Sequence, residues 1–242
     1  QKACVLPENP ASYRVVRKKS YLFNKALLVS RMNHRYALER EAIAAKERQL
    51  HEFSIANDKK EEELRFLASE LVFILEEFAD KCALVAADNG ELDQEGITVA
   101  TEYPPDLVLT QVTGDWRVLP ETLMYRIREL PVLKNEAVRY VSSAYENDWP
   151  PDYSRTFWER QYQYSRLGLK AVFAAIRLRK IATFPPTRLD STEWSALPVL
   201  WRLWKQERQR RTQLYILHQQ NQAMRIAFQQ RTRDGKNCGE CQ

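Results

Sequence analysis

The sequence predicts a mostly α-helical protein with long N-terminal helices, a small β-hairpin insert near residues 107–119 and a C-terminal region with a long basic helix. Three observations support this class. Neither Pro nor Gly lies between Pro10 and Gly90, an apolar residue recurs there every seven positions, and only 6 glycines occur in 242 residues. So few glycines argue against Gly-rich phosphate loops, β-barrels and β-sandwiches.

The seven-residue repeat in residues 1–90 is typical of a coiled-coil seam. Its positions are Leu22, Val29, Tyr36, Ile43, Leu50, Leu64, Leu71, Phe78 and Val85. From residue 64 onward the second stripe of the seam is also apolar, whereas in the first half it is mostly polar. The residues expected to contact a partner helix are Leu64, Leu71, Leu75 and Phe78.

Two architectures fit residues 20–88. One is a continuous helix of about 100 Å, at ~1.5 Å per residue. The other is a helical hairpin that turns near residues 54–58, with Asp58 as the N-cap of the second helix. The unbroken register favours the continuous helix, while the capping signal and ordinary helix lengths favour the hairpin. We expect two long helices with a break at this turn, and Asn89-Gly90 as the end of the second.

The middle of the chain, residues 91–152, is acidic and mixed in predicted structure. Two β-rich runs flank Thr113-Gly114-Asp115 and predict the hairpin at 107–119, either a flap over the core or a docking edge. Because Pro favours the first helical turn, Pro120 and Pro131 predict two short helices at 121–129 and 132–146.

The C-terminal region, residues 153–242, is basic and helical, and it begins after the aromatic connector at 149–153. A helix is expected from residue 154 to 182 and another from 192 to 231. Residues 205–213 of the last helix are polar on every face, which predicts that this part bridges solvent or contacts a polar partner.

Charge also divides the chain into three blocks. Residues 1–60 carry a net charge of +7, residues 61–152 carry −13 and residues 153–242 carry +11. Such asymmetry indicates either a polyanionic partner or basic ends that dock on the acidic middle or an acidic neighbour. The two interpretations have equal weight at this stage.

Nucleic-acid binding would use the basic residues of both ends. Trp201 and Trp204 lie next to the last basic run, where they could stack on bases. The candidate phosphate-binding residues are Lys205, Arg208, Arg210, Arg211, Arg14, Arg17, Lys18 and Lys19. Alternatively, the tryptophans anchor the core while the arginines face solvent or the acidic middle.

Catalytic signals are weak. Cys238 and Cys241 form a Cys-x-x-Cys pair, which is half of a zinc site and would bind metal only if a partner completed it. No Walker loop, dinucleotide fingerprint, nucleophile elbow or kinase signature occurs. We expect no catalytic residues and no cofactor, although an enzyme with a dispersed site is a weaker alternative.

The sequence therefore predicts a non-catalytic scaffold subunit of a larger macromolecular assembly. Its partners would be other protein subunits, with oligomerisation through the N-terminal helices; the alternative is a nucleic-acid-binding protein of a nucleoprotein complex. No membrane span is expected, because no stretch approaches ~18 apolar residues. Without a basic-then-apolar leader, a targeting segment is expected to be absent or removed. Four scattered cysteines without a disulfide pattern favour a reducing intracellular compartment, either the cytoplasm or an organelle interior.

Overall fold

The computed structural model describes the backbone of residues 10–237 and the side chains of residues 23–226. This part of the chain contains four α-helices and one two-stranded sheet, so the mostly α-helical class is confirmed. The helices are α1 (Pro10–Ala87), α2 (Glu121–Glu146), α3 (Ser154–Ile181) and α4 (Ala196–Asn237), and the strands are β1 (Glu91–Leu92) and β2 (Thr98–Val99). None of these helices has a stretch apolar enough to span a lipid bilayer.

Helix α1 is continuous over 78 residues, and the break expected near Asn57 is absent. Residues 54–58 contain neither Pro nor Gly, so nothing there removes an i→i−4 hydrogen bond, and Asp58 lies inside the helix instead of capping one. The helix ends as expected before Gly90, which has a positive φ of 77°. A Cβ there would lie 2.5 Å from Phe157 and 2.9 Å from the Val99 carbonyl oxygen, so the close approach requires glycine.

The chain divides into two compact units, Gln1–Lys59 and Lys60–Gln242. In the first unit, every described side chain, from Phe23 to Lys59, is exposed. We call residues 23–59 the arm.

The second unit is built around α3. Helices α2 and α3 run antiparallel, because Leu123 and Ala174 line one end of the groove between them while Ala137 and Leu167 line the other. Helix α4 packs on α3, and the α1 residues from Leu67 onward complete the core. At Gly168 of α3 the helices approach so closely that a Cβ would lie 2.8 Å from the Leu200 side chain.

The residues expected to contact a partner helix lie in this core. Leu71, Leu75 and Phe78 are at most 2% exposed, and Leu64 is half-buried against the same cluster. This half of the seam therefore packs on helices of its own chain.

The β-hairpin predicted at 107–119 is wrong in position. The two-stranded antiparallel sheet pairs Glu91 with Val99 and Leu92 with Thr98 instead. Residues 107–115 contain no strand, and Trp116–Val118 is a short 3-10 helix.

A local cap and a long-range contact explain that difference. The Asp115 carboxylate accepts a hydrogen bond from the Arg117 backbone N–H at 2.9 Å, which starts the 3-10 turn. Leu107 and Leu109 are covered while residues 106, 108 and 110 are exposed, which is the alternate spacing of a strand. Their covered side chains pack on the helical core, and a turn closed by the Val112 N–H and the Leu109 carbonyl follows, so no second strand pairs with this stretch. The segment therefore packs on the helical core without joining a sheet, and we call residues 107–115 the strap.

The two short helices predicted at 121–129 and 132–146 are one helix, α2, with Pro131 inside it. The buried face of α2 continues across the proline through Ile127, Leu130 and Ala137. Packing of this face on α3 offsets the hydrogen bond that Pro131 cannot donate. Helix α3 matches its predicted range to within one residue, and α4 begins four residues later than predicted.

Replacing Pro131 with Ala should stabilise the protein. Alanine restores an N–H that can donate to the Ile127 carbonyl and removes the steric cost of proline, a gain of about 1–3 kcal/mol. Denaturant unfolding measures this, with the exposed α2 residue Asn135→Ala as control for helix propensity alone. A stability equal to or below that of the parent would show that the ring contributes more through packing than it removes.

Candidate functional site

The basic run of α4 lies beside α3, and two of its arginines are bound there. The Arg210 guanidinium stacks over the Trp158 ring at 4.1 Å from the ring centroid and donates to the Gln161 side chain at 3.4 Å. Arg211 stacks over Tyr162 at 3.9 Å and donates to the Glu159 carboxylate at 2.5 Å. Both side chains therefore have partners within the chain.

Glu207 supports this contact from α4 itself. Its side chain is buried and forms an ion pair with Arg210 one turn along the helix. Burial, reinforced by the nearby charge of Arg211, lowers the pKa of Arg210. The run at 205–213, predicted to be polar on all faces, thus contacts a polar and aromatic face of α3.

The other two cations of the run lie on a pair of tryptophans. Trp201 and Trp204 stack with ring centroids 5.2 Å apart. Lys205 lies over Trp201 at 5.3 Å, and Arg208 lies over Trp204 at 5.2 Å. Among the described residues, no carboxylate forms an ion pair with Lys205 or Arg208. We call these four residues the tryptophan–cation patch.

Six of the sequence-predicted site residues cannot be placed. The side chains of Arg14, Arg17, Lys18 and Lys19 lie outside the described residues, as do Cys238 and Cys241 entirely. In the part of the chain that the structure does describe, no group of three or more His, Cys, Asp or Glu residues could hold a metal ion.

Ion pairs join the acidic middle to the basic C-terminal region. Arg160 of α3 donates to Asp88 at 2.9 Å, and both side chains are buried. Arg179, near the end of α3, makes a bidentate contact with Glu76 of α1, at 2.7 and 2.9 Å. These ion pairs neutralise some of the acidic residues of the middle block with cations of the C-terminal region, as expected if the basic end docks on the acidic middle.

Asp88 is the centre of a buried hydrogen-bond network. Its carboxylate accepts from the backbone N–H groups of Gly90, Thr101 and Glu102 at 2.8–3.1 Å and from the Thr101 hydroxyl at 2.9 Å. Burial by itself would raise the pKa of Asp88, but these hydrogen bonds and the charge of Arg160 outweigh it and lower the pKa. The sequence analysis assigned no role to Asp88. Its position just before Asn89-Gly90, at the predicted end of a helix, was the signal that its carboxylate could accept backbone hydrogen bonds.

The buried nucleophiles of the core are unsuited to attack. Burial raises the pKa of the Cys82 thiol well above its usual range, so the thiol stays protonated. Burial also raises the pKa of Tyr164 to about 12. Both side chains are fully buried and serve the core.

The arm exposes a long run of large apolar side chains. The seam residues Ile43 and Leu50 are 59% and 61% exposed, and Val29 and Tyr36 are exposed as well. Further exposed apolar side chains of the arm are Phe23, Leu27, Leu28, Met32, Leu38, Phe53 and Ile55. Soluble monomers rarely leave so many large apolar side chains together in water, which makes the arm a candidate interaction surface.

Comparison of the chain with protein-family models, curated proteins and solved structures finds no match. The candidate sites are therefore the arm and the tryptophan–cation patch, as the geometry defines them.

Replacing Asp88 with Asn should destabilise the fold by about 3–5 kcal/mol at pH 7, because the buried Arg160 guanidinium loses its counter-charge. Denaturant unfolding measures this. The exposed residue Asp152→Asn is the control and should change stability by less than about 0.5 kcal/mol.

The difference between the parent and D88N should also depend on pH. The pKa of Asp88 is lower in the folded chain than its ordinary value of about 3.9. Its contribution to stability is therefore complete above that value and is lost as the pH falls through the folded-state pKa. A difference that stays constant from pH 7 to about pH 3 would contradict this role.

Proposed function

We propose that the protein is a non-catalytic helical subunit of a larger macromolecular assembly and that it binds partner protein through the arm. The observation that carries this proposal is the exposure of the arm's seam, Val29, Tyr36, Ile43 and Leu50, within a stretch of α1, residues 23–59, whose side chains are all exposed. A buried free thiol, Cys82, suits a reducing intracellular compartment such as the cytoplasm or an organelle interior.

The energetics of the arm support association. Burying one large apolar side chain is favourable by about 1.5–3 kcal/mol, so a partner that covers the four seam residues contributes substantially. Helices in water gain most of their stability from packing of an apolar face, and among the described residues the arm packs against no other element. A partner helix is the natural cover for a seven-residue repeat.

The basic residues support the same proposal over a polyanion. Arg210 and Arg211, two of the four cations expected to bind phosphate on α4, are paired with Glu207 and Glu159. A phosphate would have to compete with those carboxylates and with the aromatic rings beneath the guanidinium groups.

The double variant Ile43→Ser and Leu50→Ser tests the proposal. If both side chains are buried against a partner, the variant should lose at least about 100-fold in affinity, because each truncation removes ~1.5 kcal/mol or more of apolar burial. The tagged full chain is isolated under native conditions from cells that produce it, and the mass of the complex is measured by light scattering.

The control is Val132→Ser with Tyr140→Ser, two exposed apolar residues of α2 outside the arm. The parent and the control should run in a protein complex well above 28.5 kDa, and the arm variant should run lower with an unchanged melting temperature. A parent chain that runs alone, or an arm variant that keeps its complex, would contradict the proposal.

The tryptophan–cation patch favours a second candidate function, single-stranded nucleic-acid binding. Trp201 is 40% exposed and stacked on Trp204, and cations lie over both rings. Aromatic faces next to cations are the usual means of binding unpaired bases and their phosphates.

The double variant Lys205→Glu and Arg208→Glu tests this second candidate, because it leaves the internally paired arginines in place. Fluorescence anisotropy with a labelled single-stranded oligonucleotide measures affinity over a range of salt concentrations. For two lost phosphate contacts, the slope of log affinity against log salt should fall in magnitude by about 1.4. An ultraviolet spectrum free of nucleic acid and no anisotropy change with the parent chain would reject the candidate.

A further inference from the structure

One face of α1 in the second unit alternates acidic and large apolar side chains. Its members, four residues or three residues apart, are Glu62, Phe66, Glu70, Phe73, Glu77, Asp80 and Leu84. With 100° per residue, Phe66, Phe73 and Leu84 fall within about 20° of one line along the helix. We call these seven residues the acidic–aromatic face.

Most of this face is exposed, although the Thr113 backbone N–H donates to the Glu70 carboxylate at 3.2 Å. Phe66, Phe73 and Leu84 are 54%, 67% and 50% exposed, although the opposite side of the same helix is buried in the core. Among the described residues, Glu62 and Asp80 form neither an ion pair nor a hydrogen bond. The face is therefore apolar along its centre and keeps negative charge at Glu62 and Asp80, while Glu77 pairs with Lys81 at 2.7 Å.

The first part of the arm, residues 23–38, has the complementary pattern. It contains Lys25, Arg31 and Arg35 and no acidic residue. Lys25, Leu28, Met32 and Arg35 recur three or four residues apart, which places two apolar side chains between two cations on one side of the helix. All of these side chains are exposed.

We propose that residues 23–38 of a second copy of this chain bind the acidic–aromatic face. The inference rests on the proposed function, because it names the partner that covers the first part of the arm. Leu28 and Met32 would pack beside Phe66 and Phe73, and the cations would lie near the carboxylates of the face. The dimensions agree: residues 23–38 rise about 22 Å and residues 66–84 about 27 Å at ~1.5 Å per residue.

Both surfaces belong to every copy, so two copies can each place an arm on the face of the other. Such a reciprocal contact is isologous. Charge then favours the arm-to-face contact over the face-to-face contact, because two acidic–aromatic faces repel each other.

Charge reversal on each surface tests the inference. The arm variant is Lys25→Glu with Arg35→Glu, the face variant is Glu62→Lys with Asp80→Lys, and a combined variant has all four changes. The control, Asp152→Lys with Glu193→Lys, reverses two exposed acidic residues elsewhere in the second unit. Sedimentation velocity of the full chain, purified alone, measures dimerisation at two salt concentrations.

The parent and the control should sediment at twice the 28.5 kDa of one chain. The arm variant and the face variant should each dimerise at least about 10-fold more weakly, because attractive charge pairs become repulsive. An equimolar mixture of the two, in which each arm again meets a face of opposite charge, should recover the dimer, as should the combined variant. Circular dichroism and unchanged melting temperatures confirm that each variant is folded.

Three results would overturn the inference: a monomeric parent chain, a dimer that neither single-surface variant weakens, or variants that fail to recover a dimer when mixed. A purified chain that stays monomeric, while Ile43 and Leu50 still determine the native complex, would reject the second copy as partner but leave the assembly function intact. A purified chain that stays monomeric, together with a native complex that does not depend on Ile43 and Leu50, would reject both proposals.

Discussion

The ion pair between Asp88 and Arg160 is the contact on which the second unit depends. Asp88 follows the last turn of α1, and its carboxylate collects backbone donors from the segment that leaves the β1–β2 sheet. Arg160 holds this carboxylate from α3 and also donates to the Glu102 carbonyl at 2.7 Å. One buried carboxylate thus determines where α1 ends, how the next segment turns and where α3 lies against both, because leaving either charge unpaired in the interior is costly.

The helices could be predicted from the sequence because their determinants are local. Helix α1 lacks Gly and Pro, and α3 lies between a Pro-Pro connector and the Pro185-Pro186 pair. The strap at 107–115 could not be predicted, because its conformation depends on distant residues: at Gly114 a Cβ would lie 3.6 Å from the Leu67 side chain of α1. Pro131 wrongly predicted the start of a new helix for the same reason. Proline normally favours the first turn of a helix, but here contact with α3 keeps α2 continuous across it.

The candidate sites show the same division between residue type and geometry. The sequence singled out the cluster of Lys, Arg and Trp at 201–211 as a candidate site, but it could not show which of its cations pair with carboxylates of the same chain. Arg211 pairs with Glu159 across 52 positions, Arg160 with Asp88 across 72 and Arg179 with Glu76 across 103. Only the packing of α4 and α1 on α3 brings these charges together, and so separates the paired cations from Lys205 and Arg208.

One heptad register serves two environments in α1, and its second stripe explains the difference. After residue 64 that stripe is apolar, with Ala68, Leu75 and Cys82, and the helix is buried against its own chain. In the arm the corresponding positions include Asn33, Arg40 and Glu47, which would be costly to bury in a dry core. A polar residue in a seam lowers stability but restricts which partner and register are accepted. The arm is therefore suited to a selective, reversible contact with a charged helical surface and unsuited to a permanent place in a globular core.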